Sequence, residues 1–245
     1  MIPSVEIIYE DDALLAVNKP AGLVVHSDGR TEEPSLTDWV LARYPGNTDI
    51  GGLHTLDSGR YAPRAGIVHR LDRETSGVVL IAKTDAAFWP LQQQFIAREV
   101  TKQYLAICEG APKEKTGSIV HPIGRNRTDY REWTVPPFAR GTLRSAHTDY
   151  SLIGVGVAEG KTYSLVRFAP KTGRTHQLRV HAKAEGFPII ADSRYGTAAA
   201  LGMEHLALHA ERLAVRHPTK NALMEFVAPL PLDFVNALQV LDIAI

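Results

Sequence analysis

The stretch Ile67-Val68-His69-Arg70-Leu71-Asp72-Arg73-Glu74-Thr75-Ser76-Gly77-Val78-Val79-Leu80-Ile81-Ala82 decides how this chain is read. Its last five residues are β-branched or aliphatic with no polar alternation. That pattern predicts a short strand buried on both faces. Just before it, Asp72 stands between Arg70 and Arg73. A carboxylate at the edge of an apolar element, beside cations, is kept ionised and partly desolvated, which suits a nucleophile or a general base. The same residues also suit an Asp turn or N-cap paired with a neighbouring arginine, and spacing alone does not choose.

Working outward, Glu6-Ile7-Ile8-Tyr9-Glu10 and Leu14-Leu15-Ala16-Val17 predict two strands around the turn Asp11-Asp12, the second closed by Lys19-Pro20-Ala21-Gly22. Residues 34–44 carry the spacing of an amphipathic helix that Pro45-Gly46 ends. The glycine-rich residues 46–66 are expected to form a loop. After the buried strand, Thr84 is placed to cap a helix over 85–98 with the stripe Phe88, Leu91, Phe95 and Ile96. A strand is expected over 102–110, a loop over 111–147, strands near 148–155 and 162–169, and a helix over 175–185 that Gly186 and Pro188 terminate. Late strands at 206–210 and 222–226 and a helical tail at 231–240 complete the reading. Strands and helices interleave irregularly and no linker breaks them. The expectation is one α+β domain, 1–245, on a mixed sheet.

The composition is that of an ordinary globular chain: 245 residues, 44% hydrophobic and 22% charged. No apolar run approaches the roughly 20 residues of a membrane-spanning helix. The start Met1-Ile2-Pro3-Ser4-Val5-Glu6 lacks the pattern of a secretory leader. Cys108 is the single cysteine, which excludes an internal disulfide and a thiolate-rich zinc site and fits a reducing cytoplasm. The net charge is zero but unevenly spread: residues 1–59 hold 3 basic and 10 acidic side chains, residues 161–186 hold 6 and 1. A basic face on a neutral protein still holds phosphates, because screening keeps its field local. A solvated surface of mixed charge explains the same numbers.

Nucleotide, metalloprotease and serine-hydrolase motifs are missing. His205 and His209 stand four apart, but Leu206-Ala207-Leu208 between them also reads as a strand, so no metal site is expected. A second cluster, Lys171-Thr172-Gly173-Arg174-Thr175-His176-Gln177-Leu178-Arg179-Val180-His181, predicts a turn followed by a helix starting at Arg174 or Thr175. Its N-terminus beside Arg174, His176 and Arg179 is a candidate anion site. On that helix His176 and Arg179 would be three apart and Arg174 and Leu178 four apart. A solvated basic helix face is the other reading.

His69-Arg70-Leu71-Asp72 with Thr75-Ser76-Gly77 resembles the signature of the RluA-type RNA pseudouridine synthases. The resemblance extends to Val17-Asn18-Lys19-Pro20-Ala21-Gly22-Leu23, Lys102-Gln103-Tyr104, Gly173 to His181, Pro188-Ile189-Ile190-Ala191-Asp192 and Leu208-His209-Ala210. These segments run in order over about residues 6–228. The resemblance implies the pseudouridine synthase fold, a twisted, mostly antiparallel mixed sheet with a central RNA-binding cleft flanked by helices and loops. It implies isomerisation of uridine within ribosomal or transfer RNA, with no cofactor and no metal. Asp72 matches the catalytic aspartate, Tyr104 the tyrosine lying against the target base, and Arg179 the arginine that ion-pairs with the catalytic carboxylate. Arg70 matches a residue that enters the RNA where the base has flipped out, as an enzyme working on a stacked base requires. Val68, Leu71 and Leu178 would wall the pocket, with Arg174 and His176 beside the RNA.

Many relatives carry an S4-type RNA-binding module ahead of the catalytic pattern. Here that pattern starts near residue 6, so RNA contact is expected from the cleft, from residues 161–186 and from the basic loop 111–147. A monomer in the cytoplasm, without membrane contact, is expected. Two other readings stand beside the synthase. One is a catalytically inactive RNA-binding protein on the same fold. The other is a glycoside-type hydrolase, for which Glu74 is the only second carboxylate near Asp72.

Overall fold

The apolar run around Val78 is a strand in which every residue from Ser76 to Ala82 is buried, as its composition predicts. A computed structural model describes residues 3–29, 31–56 and 58–244. They fall into two compact units, residues 1–101 with 210–229, and residues 102–209 with 230–245.

In the first unit β1 (Glu6–Glu10) and β2 (Leu14–Lys19) form an antiparallel hairpin. Asp11 sets its turn by accepting the amides of Ala13 and Leu14 at 2.9 and 3.0 Å. Helix α1 (Leu36–Arg43) starts in a capping box, Ser35 and Asp38 each bonding the other's backbone amide. Residues 46–66, expected as a loop, contain a 3-10 turn at Pro45–Asp49 and a hairpin of β3 (Leu53–Thr55) and β4 (Tyr61–Pro63). Three-residue strands are too short to show a period, so only their pairing reveals them. The buried strand is β5 (Ser76–Ala82), antiparallel to β2 with Leu14 opposite Ala82 and Lys19 opposite Gly77. Helix α2 (Asp85–Ala97) is capped by Thr84 as anticipated. Phe88 and Leu91 are buried against the sheet, but Ile96 is 65% exposed and leaves the expected stripe.

The second unit starts with β6 (Thr101–Glu109). The expected loop 111–147 instead holds β7 (Thr116–Ile119), β8 (Ile123–Asn126), β9 (Trp133–Thr134) and β10 (Ala139–Arg144). Strands β8, β9 and β10 make a separate three-stranded sheet in the order β10-β8-β9. The long hairpin β11 (Thr148–Ala158) and β12 (Lys161–Pro170) turns at Glu159-Gly160, both with positive φ. The strand order is β6-β12-β11-β7, all antiparallel. Helix α3 (Gln177–Ala184) begins later than expected, at Gln177. The cause is local: the side-chain oxygen of Gln177 accepts the Thr172 hydroxyl and the Arg174 amide, knotting residues 172–174 into a turn. Arg174 therefore lies off the helix and shares no helical stripe with Leu178.

Strands β13 (Leu208–Arg216) and β14 (Leu223–Val227) pair antiparallel, with β13 beside β5. Helix α4 (Leu232–Val240) closes the chain. The first core gathers Leu14, Ala16, Val78, Leu80, Phe88 and Phe226, and the second Leu105, Ile107, Phe168, Phe187, Phe234 and Leu238. At ~25 cal/mol per Å² of apolar surface, such side chains supply most of the driving force for folding. No helix among the described residues is long and apolar enough to cross a membrane.

Candidate active site

Asp72 lies in the turn that leads into β5, where the Thr75 amide donates to its carbonyl at 3.2 Å. The side chain is half-buried. Three neighbours fix the segment. His69 accepts the Leu80 amide on Nε2 at 3.0 Å and stacks on Phe95 with ring centroids 4.5 Å apart. Arg73 forks onto Glu33. Lys19, fully buried, donates from Nζ to the carbonyls of Pro20, Leu23 and Arg73 at 2.8, 2.7 and 2.9 Å. Three N–H donors meet three carbonyls, so the buried amine is satisfied and ties the end of β2 to the turn after Asp72. Burial pushes the Lys19 ammonium down to about 7, while Glu74 and Asp72 pull it back up. Arg70 is exposed; Val68 and Leu71 are buried, Val68 within the first core.

In the second unit Tyr104 is half-buried on β6, opposite Phe168 of β12. Arg179 is buried on α3 and makes a bidentate pair with Asp192: Nε to Oδ2 and Nη2 to Oδ1, each 2.7 Å. Asp192 is fixed in turn by the amides of Arg194 and Tyr195, both at 3.0 Å to Oδ1. Burial raises the Asp192 pKa, but Arg179 and those amides outweigh it and hold it below 3.8. The Tyr195 ring lies 4.9 Å from the Arg179 guanidinium carbon. The Tyr195 hydroxyl accepts the Trp133 amide at 3.0 Å and meets His176 Nδ1 at 2.7 Å. His176 is the N-cap of α3, with φ 55. Leu178 is buried in the second core. Arg174 donates from Nε to the Ser145 carbonyl at 3.0 Å.

The first unit thus presents a half-buried carboxylate on a braced turn, and the second an arginine oriented by a carboxylate of its own. A family model described as RNA pseudouridylate synthase matches residues 13–184. The chain belongs to this family. It is therefore an RNA-modifying isomerase, of the α+β, mostly antiparallel fold that the motifs imply. The chain is 35% identical over 236 residues to an uncharacterized RNA pseudouridine synthase of Synechocystis, an alignment covering 95% of this chain and 68% of that protein. It is 34% identical to ribosomal large subunit pseudouridine synthase D of Haemophilus influenzae, over 96% of this chain and 70% of that one. Among solved structures, human RNA pseudouridylate synthase domain containing 1 superposes with a TM-score of 0.73 at 30% identity, covering 94% of this chain and 87% of that one.

Sequence reasoning assigns no role to Lys19, His69, Asp192 or Tyr195. Lys19 and Asp192 lie inside segments that carry the resemblance. A lysine ending an apolar strand and an aspartate ending Pro188-Ile189-Ile190-Ala191 are the available signals, since charge in apolar surroundings needs a partner.

Proposed function

We propose that this synthase converts uridine in ribosomal or transfer RNA to pseudouridine, with Asp72 as the catalytic carboxylate. The observation that carries the reading is the Asp72 turn, held at three points by Lys19, His69 and the Arg73–Glu33 fork. Chemistry at a sugar carbon needs a carboxylate placed to within a fraction of an ångström, and such bracing supplies that placement. The reaction breaks the C1′–N1 bond, turns the uracil and forms C1′–C5, so no atom is gained or lost. Asp72 acts on the ribose as nucleophile or base. Tyr104 lies against the base and takes part in removing the C5 proton, while N1, freed from C1′, takes one up, so the proton count is unchanged. Arg179, oriented by Asp192, is the arginine whose part, by the resemblance, is to pair with the catalytic carboxylate. Arg70 fills the gap left by the flipped uridine, Val68, Leu71 and Leu178 wall the base, and Arg174 and His176 border the RNA. The chain works as one catalytic domain and as a monomer in the cytoplasm; the family match spans both units.

The test has two parts. Pseudouridine is mapped across ribosomal and transfer RNA from cells with and without the gene, and a site that vanishes identifies the target. On that RNA, purified Asp72→Asn is expected to lose about 10²–10⁴-fold or more in turnover while still binding. Turnover within tenfold of wild type overturns the role of Asp72. Release of free uracil would mark a hydrolase, and binding without product an inactive relative.

A further inference from the structure

The three-stranded sheet β10-β8-β9 contains an arrangement that folding alone disfavours. The register places Arg140 directly opposite Arg125, and Arg125 directly opposite Trp133. Direct partners share one face of a sheet, so these three side chains form one row across three strands. Two guanidinium groups on neighbouring strands start roughly 5 Å apart, and like charges directly opposite destabilise a sheet. Arg125 and Arg140 are exposed, and so are Arg127 and Arg144. No carboxylate among the described residues forms an ion pair with any of the four. Arg125 is nonetheless held in place: its guanidinium lies 4.1 Å from the Trp133 ring centre and donates to the Tyr130 carbonyl at 2.9 Å. At the end of β10, Arg174 reaches the Ser145 carbonyl and adds another cation.

The sheet is also anchored to the segment that orients Arg179. Trp133 donates its amide to the Tyr195 hydroxyl, and Arg194 donates to the Arg131 carbonyl at 2.7 Å. A row of unneutralised guanidinium groups beside an aromatic ring matches the phosphates of a nucleic-acid backbone, where contacts set position rather than read sequence.

We propose that the face of this small sheet bearing Arg140, Arg125 and Trp133 is a docking surface for the RNA phosphate backbone. The inference rests on the synthase reading for its choice of polyanion. The bound phosphates offset the repulsion between the two arginines, and the sheet's anchorage on Tyr195 and Arg194 relates the docked strand to α3.

The experiment measures binding of the full chain to a labelled RNA stem-loop across a series of KCl concentrations. Arg125→Gln/Arg140→Gln is compared with wild type and with Arg125→Lys/Arg140→Lys. Every phosphate that the protein no longer neutralises lowers the slope of log affinity against log salt by about 0.7–0.9, so the glutamine pair is expected to lower it by about 1.4–1.8. Affinity should fall about tenfold or more at low salt, and the lysine pair should restore most of the slope. The glutamine pair gives up the repulsion but also the Arg125 contacts to Trp133 and Tyr130, so it should stay folded and melt near the wild-type temperature; the lost slope then reports lost phosphate contacts rather than unfolding. An unchanged slope and affinity overturn the proposal. Asp72→Asn, measured alongside, should keep the wild-type slope. If no RNA is isomerised by wild type but the glutamine pair still loses slope, the synthase reading fails and the docking surface stands.

Discussion

Lys19 shows how one residue connects strand, turn and chemistry. Its amine is buried to zero exposure and bonded to three carbonyls, one of them the next residue after Asp72. In the folded protein its pKa falls from 10.5 to about 7, so between those values the unfolded chain binds more protons. Stability is therefore expected to rise with pH across that window, by at most ~1.4 kcal/mol per pH unit from this group, the three carbonyls that hold the ammonium opposing the shift. Lys19→Met should remove that slope, as seen by comparing denaturant unfolding at about pH 7.5 and about pH 9.5. It should also lower turnover, by about 10²-fold, through looser placement of Asp72. A variant that keeps the wild-type slope and turnover would refute both roles. The charged pattern around Asp72 was legible in the sequence. The lysine that braces it was not, because Lys19 and Arg73, 54 positions apart, are brought together only by folding.

At the scale of elements, the approach of β5 to β13 depends on Gly77. Its φ is +117, and a Cβ there would sit 2.3 Å from the Ala210 carbonyl oxygen and 2.7 Å from the Ala210 amide nitrogen. Those are backbone atoms of a neighbouring strand and have no room to yield. Gly77→Ala is expected to cost about 3 kcal/mol or more, from backbone strain and overpacking together. Calorimetry should show the loss; a melting temperature within a degree or two of wild type would mean that the strands separate freely. Elements with long periods were readable from composition: β5 from its unbroken apolar run, α2 from Thr84 and the Phe88–Leu91 spacing. The short strands β3, β4, β8, β9 and β10 were not. With two to six residues each, they owe their existence to partners across the chain rather than to local pattern.

At the scale of the whole molecule, each unit carries a carboxylate made more acidic by its neighbours. In the first, burial raises Asp11, but Lys220, the amides of Leu14 and Ala13, and His217 outweigh it and hold it well below the carboxylate range. In the second, Arg179 does the same for Asp192. A lowered folded pKa gives stability that is present above the unfolded value, near 3.8, and lost as pH falls through the folded value. Unfolding should therefore become easier below about pH 4. Asp11→Asn and Asp192→Asn should each flatten that acid dependence while lowering stability at neutral pH. Measured between about pH 5 and about pH 2.5, curves parallel to wild type would show that neither carboxylate governs acid lability.

The order of motifs along the chain determined the family and the α+β class, because the Asp72 segment, the Arg179 helix and the buried strand each leave a local trace in residue type and spacing. Tertiary structure alone decided what holds those residues. That Arg179 forks onto Asp192, that Lys19 ties down the Asp72 turn, and that Arg140, Arg125 and Trp133 form one row all follow from pairing between distant segments. Cross-strand register and buried charge pairing are settled by three-dimensional packing, where burying an unpartnered charge costs more than any local preference returns.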